Sequence, residues 1–310
     1  MEPPEKGQLD ELIMTETTSQ SKLLVKSHID TAGFYQNITA KSAGWGLLNF
    51  KAKSFRRGDT WTENTGDSEY AIVLLGGNFS VNSSQGNWKT VNGRTDVFSG
   101  LAHALYLPRH TEFTLTADSD VLDIACGYCV TDQDHPARLI TPQAVHEMGI
   151  EIRGGDNATR QINSILPPGS DCHRLVCVEV YTPSGNWSSF PAHKHDERKL
   201  DDKGNVLEAC LEETYFYKID RPQGFAIQRV YNDDKSMDEL ALARNNDVVL
   251  VPSGYHPVAA GPGYNVYYLN FLTGSDQLLT ATNDPDHEWV YDSWQGLDPR
   301  VPVVTLDMHN

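Results

Sequence analysis

Short β-forming runs recur along this chain about every ten positions, each closed by a cluster of Gly, Asn, Asp or Pro. Residues 45–52, 70–75, 104–108 and 120–130 are such runs in the first half. Residues 174–181, 214–219, 225–231, 247–251 and 265–272 follow in the second. Helical periodicity is scarce. The best short helix is residues 141–149, with Thr141 as N-cap, Pro142 at the first helical position and Gly149 just past the end. This punctuation predicts an all-β chain, folded as a sandwich or barrel.

With 310 residues the chain exceeds one ordinary domain, and its halves read as a degenerate repeat. Glu69-Tyr70 followed by Gly77-Asn78-Phe79 echoes Glu213-Thr214 followed by Gly224-Phe225-Ala226. Leu107-Pro108-Arg109-His110 echoes Val251-Pro252-Ser253-Gly254-Tyr255-His256. The expected division is a flexible N-terminus over 1–20, an N-terminal half over 21–149, a C-terminal half over 150–282, and a tail over 283–310 that packs back on the body.

The net charge of −17, from 25 basic and 42 acidic residues, argues against nucleic acid, whose affinity rests on Lys and Arg neutralising phosphates. It equally disfavours an anionic membrane surface. An anionic small substrate remains open, because a metal and a few arginines can invert the local field. No apolar run reaches the length of a membrane span, and Met1-Glu2-Pro3-Pro4-Glu5-Lys6 lacks the features of a secretory signal. An odd count of five cysteines suits a reducing compartment, so the chain reads as cytoplasmic. Cys126 and Cys129 form a Cys-x-x-Cys without a second pair and read as structural thiols in a strand.

The chemistry concentrates in three stretches of the second half. His193-Lys194-His195 places two imidazoles on one face of a strand, because side chains alternate. Glu213-Thr214-Tyr215-Phe216-Tyr217 does the same for a carboxylate and two phenols. Pro252-Ser253-Gly254-Tyr255-His256 is a turn that aims His256 inward. A lone His-x-His arises often by chance; three such elements in this order point to a divalent transition metal with open positions. The first half carries Gly58-Asp59-Thr60-Trp61-Thr62-Glu63 where the repeat would place His-x-His, so it is expected to keep the fold without the metal. His110 is then a structural remnant.

These motifs resemble the cupin signature, which implies a bicupin of two tandem double-stranded β-helix (jelly-roll) barrels with few short helices. They depart from its usual spacing in the long stretch before the Glu and in the single residue between Gly254 and His256. The closer resemblance is to the 5-deoxy-glucuronate isomerase family of inositol catabolism. It is carried by residues 181–196, by Leu211-Glu212-Glu213, by Arg153-Gly154 to Arg160, and by Asp298-Pro299-Arg300-Val301-Pro302. More distantly the chain is similar to the 4-deoxy-uronate ketol isomerases of pectin breakdown, whose ligands follow His-x-His, Glu-x-Tyr-x-Tyr and His. On that pattern His193, His195, Glu213 and His256 are the metal ligands, with Glu212, on the opposite face, as second choice.

The resemblance implies conversion of 5-deoxy-D-glucuronate, a small sugar acid, to 5-dehydro-2-deoxy-D-gluconate. Such an isomerase needs a Lewis acid on neighbouring oxygens and a group that shuttles a proton. No redox step is required, so zinc or manganese would serve. Tyr215 and Tyr217 are candidate catalytic phenols, though either could simply pack in the barrel. Arg229 is a candidate for the substrate carboxylate, with a solvent-facing role as the alternative. Lys194 points away from its flanking histidines. The polar 197–210 stretch reads as a lid or a plain surface excursion. Two other functions fit the same ligands: an Fe(II) dioxygenase and a non-catalytic sugar-binding bicupin. A homo-oligomer is expected from exposed sheets of this kind.

Overall fold

The computed structural model of the chain describes residues 20–309; apart from Gln20, the stretch expected to be flexible lies outside the described residues. Among those residues the architecture is four main antiparallel sheets, two in each half. In the first half a six-stranded sheet runs in the order Phe34–Ile38, Asn49–Arg56, Val121–Val130, Ser68–Gly76, Ala104–Leu107, Arg138–Ile140. It faces a four-stranded sheet of Gly86–Lys89, Phe79–Ser83, Glu112–Ala117 and Thr60–Asn64. Phe55, Trp61, Ile72, Leu74, Phe79 and Leu115 fill the space between them.

The second half repeats this plan. Its seven-stranded sheet runs Ile150–Arg153, Arg160–Leu166, Val176–Thr182, Val266–Gly274, Leu211–Ile219, Val248–Val251, Leu24–Val25. Opposite lie Asp238–Ala243, Ala226–Tyr231, Val258–Ala260 and Trp187–Ser188. Tyr215, Tyr217, Val230, Val249 and Tyr268 lie in the core between them. The edge strand Leu24–Val25 comes from the start of the chain, so the first segment stitches the second half.

The two large sheets bury their remaining faces against each other. Phe50 lies 5.4 Å from Phe216 and 6.0 Å from Phe271, centroid to centroid. The approach is close enough that a Cβ at Gly127 would meet the Phe271 ring at 2.3 Å, so only glycine fits there. A buried ion pair, Arg94 Nη2 to Glu179 Oε1 at 2.6 Å, crosses the same junction.

The strand order corrects the sequence repeat by one position. Ser68–Gly76 occupies the place that Leu211–Ile219 holds in the second sheet, so Glu69 matches Glu212 and Tyr70 matches Glu213. Strand alternation makes the offset matter, because a slip of one residue exchanges the faces. Both Glu69 and Glu212 face the other half. Glu69 accepts the backbone N–H groups of His173, Arg174 and Leu175, and Glu212 accepts those of Gly46, Leu47 and Leu48.

Other expectations shift locally. The run at 45–52 starts its strand only at Asn49, because residues 45–48 form the loop that Glu212 anchors. The helix forms over Pro142–Met148, with Thr141 Oγ1 accepting from Ala144 N. The 197–210 stretch is a small hairpin, Lys199–Leu200 against Val206–Glu208. It is tied down by buried Glu208, which accepts from Asp196 N, Glu197 N and Lys199 Nζ. Cys126 and Cys129 are both buried and free; they lie in different cores, which rules out a bond between them. The tail packs back through Val304, whose N–H and C=O both bond the Gln161 side chain.

Candidate metal centre

Three elements of the second half bring the sequence motifs together. The His-x-His stretch pairs only at His193–Lys194, with Thr282–Asn283, so His195 lies just past the paired residues. Pro191, which lacks an N–H, and Ser189, at φ 50°, make the approach irregular. Glu213 stands on Leu211–Ile219, which is paired on both sides. His256 follows the turn at Gly254, whose φ of 89° is a left-handed conformation. A Cβ there would also meet Tyr231 O at 2.6 Å. Asp196 Oδ1 accepts the Gly254 N–H at 2.6 Å, tying the His-x-His segment to this turn.

His195, Glu213 and His256 are all buried, and their ligand atoms lie within 4.8 Å of one another. His195 Nε2 is 2.9 Å and His256 Nε2 3.3 Å from the same oxygen, Glu213 Oε2. The other ring nitrogens are already committed. His256 Nδ1 donates to Gly254 O at 2.7 Å and His195 Nδ1 to Leu211 O at 3.2 Å, because a carbonyl can only accept. In the neutral rings both Nε2 lone pairs therefore converge on a carboxylate oxygen. A proton on His195 Nε2 would relieve its contact with the carboxylate, but His256 Nε2 has no hydrogen-bond partner and faces the anion with its lone pair unless a cation lies among them. The donor set fits a divalent cation, with both histidines held by backbone carbonyls in the tautomer that coordination needs.

His193 stands beside this group without sharing its close convergence of ligand atoms, its ring 4.8 Å from that of His256 and 6.5 Å from that of His195. Burial, reinforced by the neighbouring His256, pushes His193 well below the ordinary imidazole range. Burial likewise pushes His256 down to about 4. At neutral pH both are neutral, the form that binds metal. Burial acts the same way on His195, but the hydrogen bond and charge of Glu213 outweigh it and raise this imidazole instead.

A cavity of about 100 Å³ opens onto the cluster, lined among others by His193, His195, Glu213, Tyr215, Ser189, Tyr268 and Arg160. The Tyr215 ring lies 5.7 Å from His256. Its hydroxyl contacts Ser189 Oγ at 3.3 Å, and Ser189 Oγ contacts Tyr268 OH at 3.4 Å. Tyr268 OH donates to Ser188 Oγ at 2.9 Å. Arg160 and Ser189 lie in stretches that carry the family resemblance but are given no role there, and Tyr268 lies in none of them; burial of an arginine and contacts across the barrel leave no local pattern.

The remaining candidates go elsewhere. Tyr217 is buried deeper, its hydroxyl donating to Gln228 Oε1 at 2.7 Å, and it does not line the cavity. Arg229 is a correction: it is bidentate with Asp238 at 2.7 Å and borders a separate cavity of about 460 Å³ on the outer side of the small sheet. Its strand points it outward, opposite to Gln228. Lys194 points away from the cluster to Asp233, as expected. His110 is exposed near Asp67. In the first half Tyr70 stands at the Glu213 position. Around it Glu63 accepts from Lys51 Nζ, Trp61 Nε1 and the Tyr70 hydroxyl. The Lys51 ammonium lies over the Trp61, Tyr70 and Tyr128 rings at 4.6–5.0 Å from their centroids.

Paired sheets in each half and a buried His/Glu cluster in one of them define a cupin-fold protein. Solved structures agree: Lactobacillus farciminis oxalate decarboxylase superposes with a TM-score of 0.58 at 11% identity, over 87% of this chain and 90% of that one, which speaks to fold alone. An IolB-like protein of Salmonella typhimurium superposes at 0.81 with 38% identity, over 87% of this chain and 99% of that one. The model of the KduI/IolB family matches residues 23–290, and the chain belongs to that family. Among curated relatives, the 5-deoxy-glucuronate isomerase of Geobacillus thermodenitrificans is 41% identical over 88% of this chain and 97% of its own length. That of Bacillus subtilis is 37% identical over 82% and 91%. Among the described residues no helix is long and apolar enough to cross a membrane.

Proposed function

We propose that this protein is an aldose–ketose isomerase that converts 5-deoxy-D-glucuronate to 5-dehydro-2-deoxy-D-gluconate in inositol breakdown, using a divalent metal held by His193, His195, Glu213 and His256. The observation that carries the metal is the convergence of two Nε2 atoms on Glu213 Oε2 beside a cavity, with His256 Nε2 left without a hydrogen-bond partner. The substrate follows from the family and from the names of its curated relatives. Zinc or manganese suits the donor set, and either would polarise the carbonyl and hydroxyl oxygens of the reacting carbons as a Lewis acid.

The chain's own groups then handle protons. Aldose-to-ketose conversion moves the C2 hydrogen to C1 and the hydroxyl hydrogen from O2 to O1, so the carbonyl shifts and the composition is unchanged. Burial pushes the Tyr215 phenol well above its ordinary range, so at neutral pH it holds its proton and acts as a donor. A donor beside the cluster can hydrogen-bond the oxygen that gains negative charge as the C2 proton leaves. Ser189 and Tyr268 continue the hydroxyl chain, giving the hydroxyl proton a path from O2 to O1. The buried walls, with Val178, Val180, Leu272 and Ile162, keep bulk water from the reacting carbons.

The test is anaerobic incubation of metal-loaded protein with 5-deoxy-D-glucuronate in deuterated water, followed by proton NMR. The ketose should appear without oxygen. A product that forms only when oxygen is consumed would replace this reading with the dioxygenase.

A further inference from the structure

Arg160 is a buried cation without a buried anion. It opens the strand Arg160–Leu166, is 6% exposed, and lines the same cavity as the His/Glu cluster. Among the described residues no carboxylate bonds it. Its Nη1 makes only two long contacts, to Ala158 O at 3.5 Å and Phe190 O at 3.4 Å. Arg94 shows what a satisfied buried arginine looks like in this fold: an ion pair to Glu179 at 2.6 Å, with Leu74 O and Gly100 O taking further N–H groups. Burying a guanidinium without a partner is costly, yet the chain tolerates it here. The backbone packs tightly around it: a Cβ at Gly154 would meet Ala158 O at 2.2 Å and lie 3.1 Å from Arg160 Nη1.

The other arginines nearby are engaged. Arg153, about half exposed, is bidentate with Glu151 on its own strand, and Arg229 is paired with Asp238 away from this cavity. Arg160 shares the cavity wall with Tyr215, Ser189 and Tyr268, which places it on the same cavity as the hydroxyl chain.

We propose that Arg160 binds the carboxylate of the sugar acid, so that the acid end of the substrate is held by a guanidinium while its carbonyl end faces His193, His195, Glu213 and His256. The fork geometry of arginine matches a carboxylate with two parallel hydrogen bonds. The arriving anion supplies the counter-charge that the fold withholds, so the pair forms only with an acidic ligand. Selectivity for a uronate over a neutral aldose then comes from this residue. The identity of the acid rests on the isomerase reading; the carboxylate subsite does not.

The experiment uses metal-loaded protein and its Arg160→Met and Arg160→Lys variants. It measures calorimetric binding of 5-deoxy-D-glucuronate and of 5-deoxy-D-glucose, which has a hydroxymethyl group in place of the carboxylate, and kcat/KM on both. Losing a bidentate charge-assisted pair should cut the preference of the wild type for the acid by about a hundredfold in Arg160→Met. Arg160→Lys, which keeps the charge but not the fork, should fall between. Thermal unfolding gives an independent readout: Arg160→Met should melt no lower than wild type, and the acid should raise the melting temperature of the wild type far more than that of the variant. A preference for the acid that survives in Arg160→Met overturns the proposal, as does a large drop in its melting temperature, which would mark a structural arginine. Wild type that binds the acid through Arg160 without isomerising it would sink the isomerase reading and leave the subsite standing.

Discussion

Glu212 and Glu213 are neighbours on one strand and face opposite ways. The Glu212 carboxylate reaches into the other half and accepts the N–H groups of Gly46, Leu47 and Leu48 at 2.7–3.1 Å. The Glu213 carboxylate turns inward to His195 and His256 at 2.9 and 3.3 Å. Strand alternation alone separates a fastener between halves from a candidate metal ligand. Glu69 repeats the fastener from the other side, and Tyr70 takes the place of the ligand.

The fastening role has a stability consequence. Glu69 is fully buried, and three backbone N–H groups converge on its carboxylate, with the Tyr106 hydroxyl adding a fourth bond. Glu69→Gln would turn an amide donor towards donors and should destabilise the protein by about 1–3 kcal/mol. Thermal unfolding would show it, with metal content unchanged. An unaltered melting temperature would contradict the role.

Phenol identity separates chemistry from packing. Tyr215→Phe should lower kcat by about a hundredfold or more while retaining the metal, because it removes a proton-holding hydroxyl from the cavity. Tyr217→Phe loses only its bond to buried Gln228 and should cost about 1 kcal/mol of stability with turnover within a few-fold of normal. Steady-state kinetics beside metal analysis would read both. Equal losses of turnover would remove Tyr215 from its role.

Arg229 is predicted to be dispensable. Both it and Asp238 are about 40% exposed, and exposed pairs contribute little. Arg229→Ala should leave metal content and kcat/KM near wild type and shift stability by under about 1 kcal/mol. A selective rise in KM for the acid substrate would restore it to the site.

Acid stability should depend on Asp298. The Arg300 guanidinium, with the Asn186 amide, holds this carboxyl well below the ordinary carboxylate range and ties the tail to the 184–186 turn. A lowered folded-state value means the contribution is complete above the unfolded value, about 4, and is lost as pH falls through the depressed one. Asp298→Asn should therefore melt lower than wild type at pH 7, and the gap should close below about pH 4. A gap that stays constant between pH 7 and pH 2 would contradict the linkage.

Much of this was legible because strand periodicity is local. Residues 120–130 and 265–272 announce buried strands, and the three motifs that carry His193, His195, Glu213 and His256, taken in order, announce a cluster. What was not legible depends on distance in sequence. Glu212 finds its partners more than 160 positions away, and the Lys51–Glu63 pair that fills the first half is a contact between strands. Arg160 looks like any surface arginine until its burial is known. The repeat could be seen but not its register, since aligning acidic with acidic residues hides the side of the strand each one faces. That His195 falls just past the paired residues was not legible either, because alternation in two histidines says nothing of how far pairing continues.

The most direct measurement of the central claim is metal content and isomerase turnover, taken together, for Glu213→Gln and Glu212→Gln against wild type. The account predicts that Glu213→Gln loses both metal and conversion of 5-deoxy-D-glucuronate, while Glu212→Gln keeps its metal and loses mainly thermal stability. Metal retained by Glu213→Gln and lost by Glu212→Gln would contradict it.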